Sequence, residues 1–335
     1  MDRLKLLLRD IDKSMLGLEV APWFTPIAPK SDGYNVHTLD VFDYETLLER
    51  AGKNSRIDPS RYGNIEPLDY VGSATELLSL VPAELHGRFD YVISSHNFEH
   101  LPNPIKFLQG CEALLRDGGR VIMAVPDGRA CYDYFRPHTI TADWLEAYVE
   151  DRKRPAERHL FAALADRAYV REQRDNPAVA LTFNTPRTEI ENHATLTQKW
   201  SEWTQRSTGG PYLDAHCSVM TPASLQLLLE DCMALGLFAF DIREVTETRG
   251  VEFIIHLVKG TGERELDADA FQARRTQLLH KIWDEQAVRF GAKRHLTAAI
   301  AEGIMNPAPN LGLFRRFKLA VRRRNQLRLA RRRAR

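Results

Sequence analysis

The sequence predicts an α/β protein built on a mostly parallel seven-stranded sheet, and three stretches carry that prediction. Phe89 to Gly128, FDYVISSHNFEHLPNPIKFLQGCEALLRDGGRVIMAVPDG, reads as a buried strand (Tyr91, Val92, Ile93), a polar loop, an amphipathic helix, a Gly118-Gly119 stop and a second strand over Val121 to Val125. Continuous apolar strands joined by a helix form a βαβ unit of a parallel sheet buried on both faces. Upstream, two short segments read as strands, the second with an acidic residue at its end. Downstream, Thr221-Pro222 opens a helix that runs to Leu235, and Phe238 to Thr246 and Val251 to Val258 follow as paired strands.

Taken in order, Gly17 to Pro22 supplies a first strand and Val36 to Asp40 a second, with Asp40 at its end. Asp43 to Ala51 has helical character, Asp58 to Pro67 reads as loop, Leu68 to Gly72 as a short third strand and Ala74 to Leu80 as a helix. After the central βαβ unit, Asp127 to Pro137 is a loop rich in aromatics and arginines. Thr141 to Glu150 is a helix capped near Ile140 or Thr141. Residues 151–215 are polar, with Arg158 to Arg174 helical and Gly209-Gly210-Pro211 a breaker. The segment is too long for a simple connection and predicts an inserted cap over the site. Thr221 caps the next helix with Pro222 in its first turn, Gly236 ends it, and Thr248-Arg249-Gly250 turns the final antiparallel hairpin. The expected organisation is a domain made of 1–150 and 216–260, a cap over 151–215, a helical segment over 261–310 (its helix over Arg264 to Gly303) and a basic tail over 311–335.

A hydrophobic content of 44% and a charged content of 27% describe an ordinary globular chain with enough length for a sizeable core. Cys111, Cys131, Cys217 and Cys232 have no metal spacing and fit packing roles in a reducing compartment. Lys5-Leu8 runs at once into Arg9-Asp10-Ile11-Asp12, too charged for a secretory peptide, so a cytoplasmic protein is expected. The net charge of +1 hides an asymmetry: Leu311 to Arg335 holds 11 of the 46 bases and no acid, which leaves 35 bases against 45 acids in the rest.

FDYV, the Glu99-His100 pair and LLRDGGRVIMAVP, in that order and spacing, resemble the middle of class I S-adenosylmethionine-dependent methyltransferases. LEVAPWFTPI, SHNFEHLPNP and AVPDGRACYDYFRP are most similar to methyltransferase-like proteins associated with bacterial glycosyltransferases and surface polysaccharide synthesis. The resemblance covers roughly residues 15–260, weakly over 151–215. It implies a Rossmann-like fold, S-adenosylmethionine as cofactor, and methylation of a sugar hydroxyl or related small-molecule or glycan acceptor.

Ligands of such sheets sit beyond the carboxyl ends of the strands. Glu19 and Asp40 therefore become the carboxylates for the amino-acid part and the ribose of the cofactor, 21 residues apart, near the usual interval of about 20. Ala21, Pro22, Gly72, Ser73, Ala74, Ser94, Ser95 and His96 complete the expected cofactor edge. Ala21 stands where glycine is normal, and its β-carbon crowds a loop that must approach the ligand. His96 and His100 are the candidate catalytic bases, because an imidazole beside a carboxylate can take a hydroxyl proton. Asn97, Asp127, Arg129, Tyr132, Arg136 and His216 are expected on the acceptor side, with Asp133 in the same loop. For the Glu-His pair an architectural role competes with catalysis; for the loop, ordinary solvation competes with binding. Trp200 and Trp203, three apart on a helix, read as core. His193 and the other histidines show no metal spacing, so no metal is expected.

Leu313, Phe314, Phe317, Ala320 and Val321 fall at helical spacing among arginines, which suits an anionic membrane surface, such as an inner membrane face, or an acidic partner. Nucleic acid is disfavoured, since stacking aromatics are few and no Asn-Pro-Pro-Tyr-like motif follows the fourth strand. A non-catalytic binding or scaffold protein on the same fold is the competing expectation, and Ala21 is the feature that favours it.

Overall fold

The computed structural model describes residues 2–174, 179–205, 212–260 and 267–289. The strands are β1 Gly17–Val20, β2 Val36–Asp40, β3 Tyr70–Val71, β4 Phe89–Ser95, β5 Leu115–Pro126, β6 Ala168–Val170, β7 Ile190–Asn192, β8 Phe240–Val245 and β9 Glu252–Lys259. The α-helices are α1 Arg3–Leu7, α2 Tyr44–Lys53, α3 Leu77–Leu80, α4 Pro104–Leu114, α5 Thr141–Val149, α6 Glu157–Ala165, α7 Leu196–Thr204, α8 Pro222–Ala234 and α9 Ala268–Arg289. Two compact units divide the chain, Met1–Gln286 and Ala287–Arg335; of the second, only the end of α9 is described. The expected basic tail over 311–335, the Gly209-Gly210-Pro211 breaker and the helix beyond Arg289 lie outside the described residues.

Seven strands form one sheet in the order β3-β2-β1-β4-β5-β9-β8. Strands β1 to β5 pair in parallel, and β9 and β8 add the antiparallel edge. The chain winds outward from β1 to β3, then returns to β4 on the other side of β1. That reversal opens a crevice beyond the carboxyl ends of β1 and β4, the place where open parallel sheets hold ligands.

Both faces of the sheet are buried, which is why its central strands read as unbroken apolar runs. Leu18, Val20, Val92, Val121 and Met123 face α4, α5 and α8, where Phe98 meets Phe107 and Trp144 at ring separations of 5.9 and 5.7 Å. Tyr91, Ile93, Ile122, Ala124 and Ile254 face the other way, under Leu6 and Leu7 of α1 and Ile27 and Ala28. Close packing fixes one glycine there: a β-carbon on Gly17 would lie 2.0 Å from the Tyr91 ring. All four cysteines are free and buried.

The chain departs from its sequence pattern in four places. Gly118 and Gly119 lie inside β5 rather than ending a helix; α4 stops at Leu114, and the register with β4 shifts between Phe89 and Tyr91. The stretch 74–80 opens as a 3-10 turn, Ala74–Glu76, before the single α-helical turn of α3. The helical pattern over 158–174 breaks at Ala165, where the chain turns into β6 and pairs with β7 in a separate two-stranded sheet. Trp200 and Trp203 are not core residues: they pack on each other and on Phe161 of α6, and Trp200 is 55% exposed.

Candidate active site

The carboxyl edge of the sheet is built around two buried carboxylates. Register places Glu19 opposite Thr38, so Glu19 and Asp40 share a face of the sheet. Glu19 accepts hydrogen bonds from the backbone N–H groups of Ile27 (2.6 Å) and Ala28 (2.9 Å) and so pins the loop that follows β1. Burial raises its pKa to about 7 against the pull of those two donors. Asp40 accepts from the N–H of Phe42 at 3.1 Å, and burial raises it to about 6 against the backbone donors of Phe42 and Val41.

Strain gathers at this edge. Ala21 (φ 56°), Trp23 (φ 40°) and His96 (φ 50°) all adopt the left-handed conformation, which costs an L-residue roughly 1–2 kcal/mol. The glycine normal at position 21 is therefore a backbone requirement that Ala21 meets under strain. Pro22 starts a turn, its carbonyl accepting from Thr25 N at 3.0 Å. Of the other residues expected at the cofactor edge, Gly72 donates its N–H to the Asp40 carbonyl at 2.9 Å, and Ser73 caps the next turn through Thr75. Ala74 points into the main core, a position that removes its side chain from the ligand edge. Ser94 is buried and accepts from Asn97 at 3.1 Å, so Asn97 holds the loop after β4 rather than lining the cavity. Ser95 accepts from Arg3 at 2.8 Å.

Beyond His96 lies a cavity of about 450 Å³ whose walls include His96, Glu99, His100, Tyr132 and His216 from the sheet side and Arg167 and Tyr169 from the cap. Glu99, 1% exposed, is a buried part of that wall. One carboxylate oxygen of Glu99 is 3.7 Å from His96 Nδ1, 3.7 Å from His100 Nε2 and 3.8 Å from His216 Nε2. Each of these imidazoles finds a second carboxylate: His96 meets Glu252 at 2.7 Å, His100 meets Asp214 at 2.8 Å and His216 Nδ1 meets Asp133 at 2.5 Å. The Glu99 carbonyl also accepts from Cys217 and Ser218 N–H (2.7 and 3.0 Å), which draws the returning chain, and with it His216, against the loop after β4.

Charge follows from this packing. Burial alone would lower the His96 pKa, but the hydrogen bond to Glu252 and the nearby Glu99 carboxylate push it to about 9; its side chain, 40% exposed, is an imidazolium at neutral pH and a donor rather than a base. Burial likewise works against a charged His100, and Asp214 and Glu99 outweigh it and raise its pKa. Burial would neutralise Glu99, yet the three imidazoles hold its pKa below the ordinary carboxylate value. Burial is also overcome at Asp133, where His216 and Arg136 lower the pKa to about 2. With Asp133 ionised, its bond to His216 is donated by Nδ1–H, and the Tyr132 hydroxyl pairs with Nε2.

The aromatic and basic loop after β5 splits in two. Tyr132 and His216 line the cavity. Arg129 is instead locked to Asp127 at 2.6 Å in a buried pair joined by Thr248, and Arg136 to Asp133 at 2.6 Å and to the His216 carbonyl at 2.9 Å. Asp127, Arg129 and Arg136 are thus withdrawn from the acceptor, because a buried ion left without its partner costs about 3–5 kcal/mol. Sequence reasoning missed Glu252, Asp214, Arg56 and the cap residues Arg167 and Tyr169. Their chain distances from His96 leave no local signal; only the fold joins them. The expectation of no metal rested on spacing, and here too the fold intervenes: ligand atoms of Glu99, His100 and His216 lie within 4.8 Å of one another.

This sheet order, with its crevice at β1 and β4 and its final antiparallel pair, defines a class I, Rossmann-like methyltransferase fold. The model of the methyltransferase domain family matches residues 7–232, and the chain belongs to that family of S-adenosylmethionine-dependent methyltransferases. No curated protein matches the chain significantly. Among solved structures, it is similar to an S-adenosylmethionine-dependent methyltransferase from Aquifex aeolicus (12% identity, 77% of this chain and 94% of that one, TM-score 0.36). It is also similar to a Burkholderia thailandensis 1,6-didemethyltoxoflavin-N1-methyltransferase (12%, 76% of each chain, 0.37) and to a Rhodobacter sphaeroides protein named for Zn-dependent alcohol dehydrogenases (13%, 78% and 91%, 0.42). At such scores the family match, not these neighbours, carries the assignment.

Proposed function

We propose that this methyltransferase acts on a hydroxyl of a polar, sugar-like acceptor on a glycan or a related small molecule. The cavity beyond His96 is the observation that carries the reading. Its volume of about 450 Å³ suits a small ligand, and its wall is aromatic and basic, with the Arg167 guanidinium 4.3 Å over the Tyr132 ring and 5.7 Å from the Tyr169 ring. Planar groups of this kind cover a sugar ring while their edges reach its hydroxyls.

The chemistry asks mainly for alignment of oxygen and sulfonium. The acceptor oxygen forms a bond to the methyl carbon as the carbon–sulfur bond breaks, S-adenosylhomocysteine leaves, and the hydroxyl proton passes to the imidazole–carboxylate cluster. His96, already protonated, donates to the acceptor and holds it; His100 and the Tyr132–His216–Asp133 chain supply the proton path. Asp40, at the end of β2, would hold the cofactor, and Glu19 would shape its site by pinning the loop after β1. The arginine-rich segment 311–335 would keep such an enzyme at an anionic surface where lipid-linked glycans are built, with docking that weakens as salt rises.

Calorimetry with S-adenosylmethionine and S-adenosylhomocysteine, followed by labelled methyl transfer onto sugar acceptors, tests the reading. Both ligands should bind, and Tyr132→Phe should lower kcat at least 10-fold with cofactor affinity kept. Absence of binding at millimolar ligand would instead establish the scaffold alternative. Transfer to nitrogen acceptors alone would overturn the hydroxyl assignment.

A further inference from the structure

We propose that Glu99, His100 and His216 form a binding site for one divalent transition-metal ion of the zinc class. Their ligand atoms are gathered already: the Glu99 carboxylate lies 3.7 Å from His100 Nε2 and 3.8 Å from His216 Nε2. An ion about 2.0–2.1 Å from each ligand in tetrahedral geometry needs separations of about 3.4 Å; the two distances to Glu99 are within a few tenths of an ångström of that, and all three ligand atoms lie within 4.8 Å of one another.

Three further observations point the same way. The second Glu99 oxygen is buried with no hydrogen-bond partner, a costly state for a carboxylate that an ion bound through both oxygens would relieve. The imidazoles form hydrogen bonds with Asp214, Asp133 and Glu252 yet stand off Glu99, at a distance suited to a shared ion rather than to a direct bond. Each candidate ligand histidine is also held from behind through Nδ1, His100 by Asp214 and His216 by Asp133. Asp133 is fixed in turn by Arg136 at 2.6 Å. A carboxylate behind each imidazole is the usual outer support of a metal site; it sets the tautomer and aims Nε2 at the ion.

Two nitrogens and a carboxylate select zinc, iron or cobalt over magnesium or calcium, which prefer an all-oxygen shell. The neighbouring group of Cys131, Asp133 and His216 is less suited, because Asp133 is committed to Arg136 and to His216 Nδ1, and burial raises the Cys131 thiol pKa well above its ordinary value. Binding replaces the hydrogen bond between Tyr132 and His216 Nε2, so in the metal-bound enzyme the ion takes over from the His100 and Tyr132–His216–Asp133 path. The cavity leaves a position open for an acceptor oxygen, whose proton the ion would loosen. That role rests on the hydroxyl-acceptor reading above; metal binding itself does not.

The test is titration of full-length protein, stripped with a chelator, with Co²⁺ and Zn²⁺. One equivalent should bind per chain, with the visible Co²⁺ absorption of a four- or five-coordinate site. Glu99→Gln should weaken binding at least 100-fold, Asp214→Asn roughly 10-fold, and Tyr132→Phe should leave it unchanged or tighter. If Glu99→Gln fails to fold by circular dichroism, Asp214→Asn decides, since Asp214 is surface-exposed. Absence of saturable one-equivalent binding, or equal affinity in wild type, Glu99→Gln and Asp214→Asn, overturns the site. S-adenosylmethionine binding measured on the same samples separates this failure from failure of the methyltransferase reading.

Discussion

The sheet domain and the cap over 151–215 bury their residues by different means. In the sheet, thirty buried apolar side chains form one cluster across β1, β2, β4, β5 and β9 and the helices above them. In the cap the comparable cluster is Ala168, Val170 and Leu181, closed by Tyr134 of the loop after β5 and flanked by Val179 and Ile190, and polar bridges such as Arg171–Glu191 do the rest. A surface ion pair contributes about 0–1 kcal/mol, and a fully buried aromatic several. The sheet is therefore expected to unfold as a unit, while the cap opens at lower free energy. A rigid floor with a looser roof is a useful arrangement for an enzyme that must admit an acceptor and release it methylated.

The largest expected effect follows directly. Phe89→Ala, at a fully buried position in β4, should cost about 3–5 kcal/mol of global stability in denaturant titration. Leu181→Ala in the cap should cost about 2 kcal/mol, and native-state hydrogen exchange should confine the loss to amides of 157–192. Equal loss of protection in β4 and β5 for Leu181→Ala would show that cap and sheet are one cooperative unit.

A second difference is pH-dependent. His159, in α6, is held neutral: burial lowers its pKa to about 4, helped by Arg158, Arg136 and Arg152. The unfolded chain binds this proton near 6.5 and the folded cap only near 4, so between those values the unfolded state carries more protons and cap stability falls as pH falls. Protection of cap amides should decline from about pH 6.5 down to about pH 4, with the amides of β4 and β5 retaining theirs. In His159→Gln, that part of the decline should vanish.

The same contrast explains what could be read from the residues beforehand. The buried strands announce themselves, since a parallel strand covered on both faces must be apolar throughout, as Tyr91-Val92-Ile93 and Val121 to Val125 are. Thr221 and Pro222 mark a helix start through local backbone chemistry alone, and α8 begins there, Thr221 accepting from Ser224 N at 3.3 Å. Near the cavity, local rules stop helping. Asp127 and Arg129 look like binding groups until the fold buries them together, and nothing near His96 in the chain foretells Glu252, 156 residues away. The cap is opaque for a related reason: β6 and β7 are three residues each, too short for periodicity to separate strand from helix.

The smallest expected effect lies at the edge where the sheet meets its ligands. Ala21 adopts a φ of 56°, a conformation glycine reaches freely, while its N–H remains bonded to the Leu39 carbonyl at 2.7 Å. Ala21→Gly removes the clash of the β-carbon with the following carbonyl, worth about 1–2 kcal/mol, but loosens the unfolded chain by about 0.4–1 kcal/mol. The balance favours glycine by up to about 1.6 kcal/mol, so thermal unfolding should shift upward by a few degrees at most. Affinity for S-adenosylmethionine should be unchanged or tighter, because the loop keeps its path and loses only a methyl group at the ligand edge. A lower unfolding temperature together with weaker binding would mean that the alanine packs against the loop, and that strain at this edge is not what separates it from the relaxed centre of the sheet.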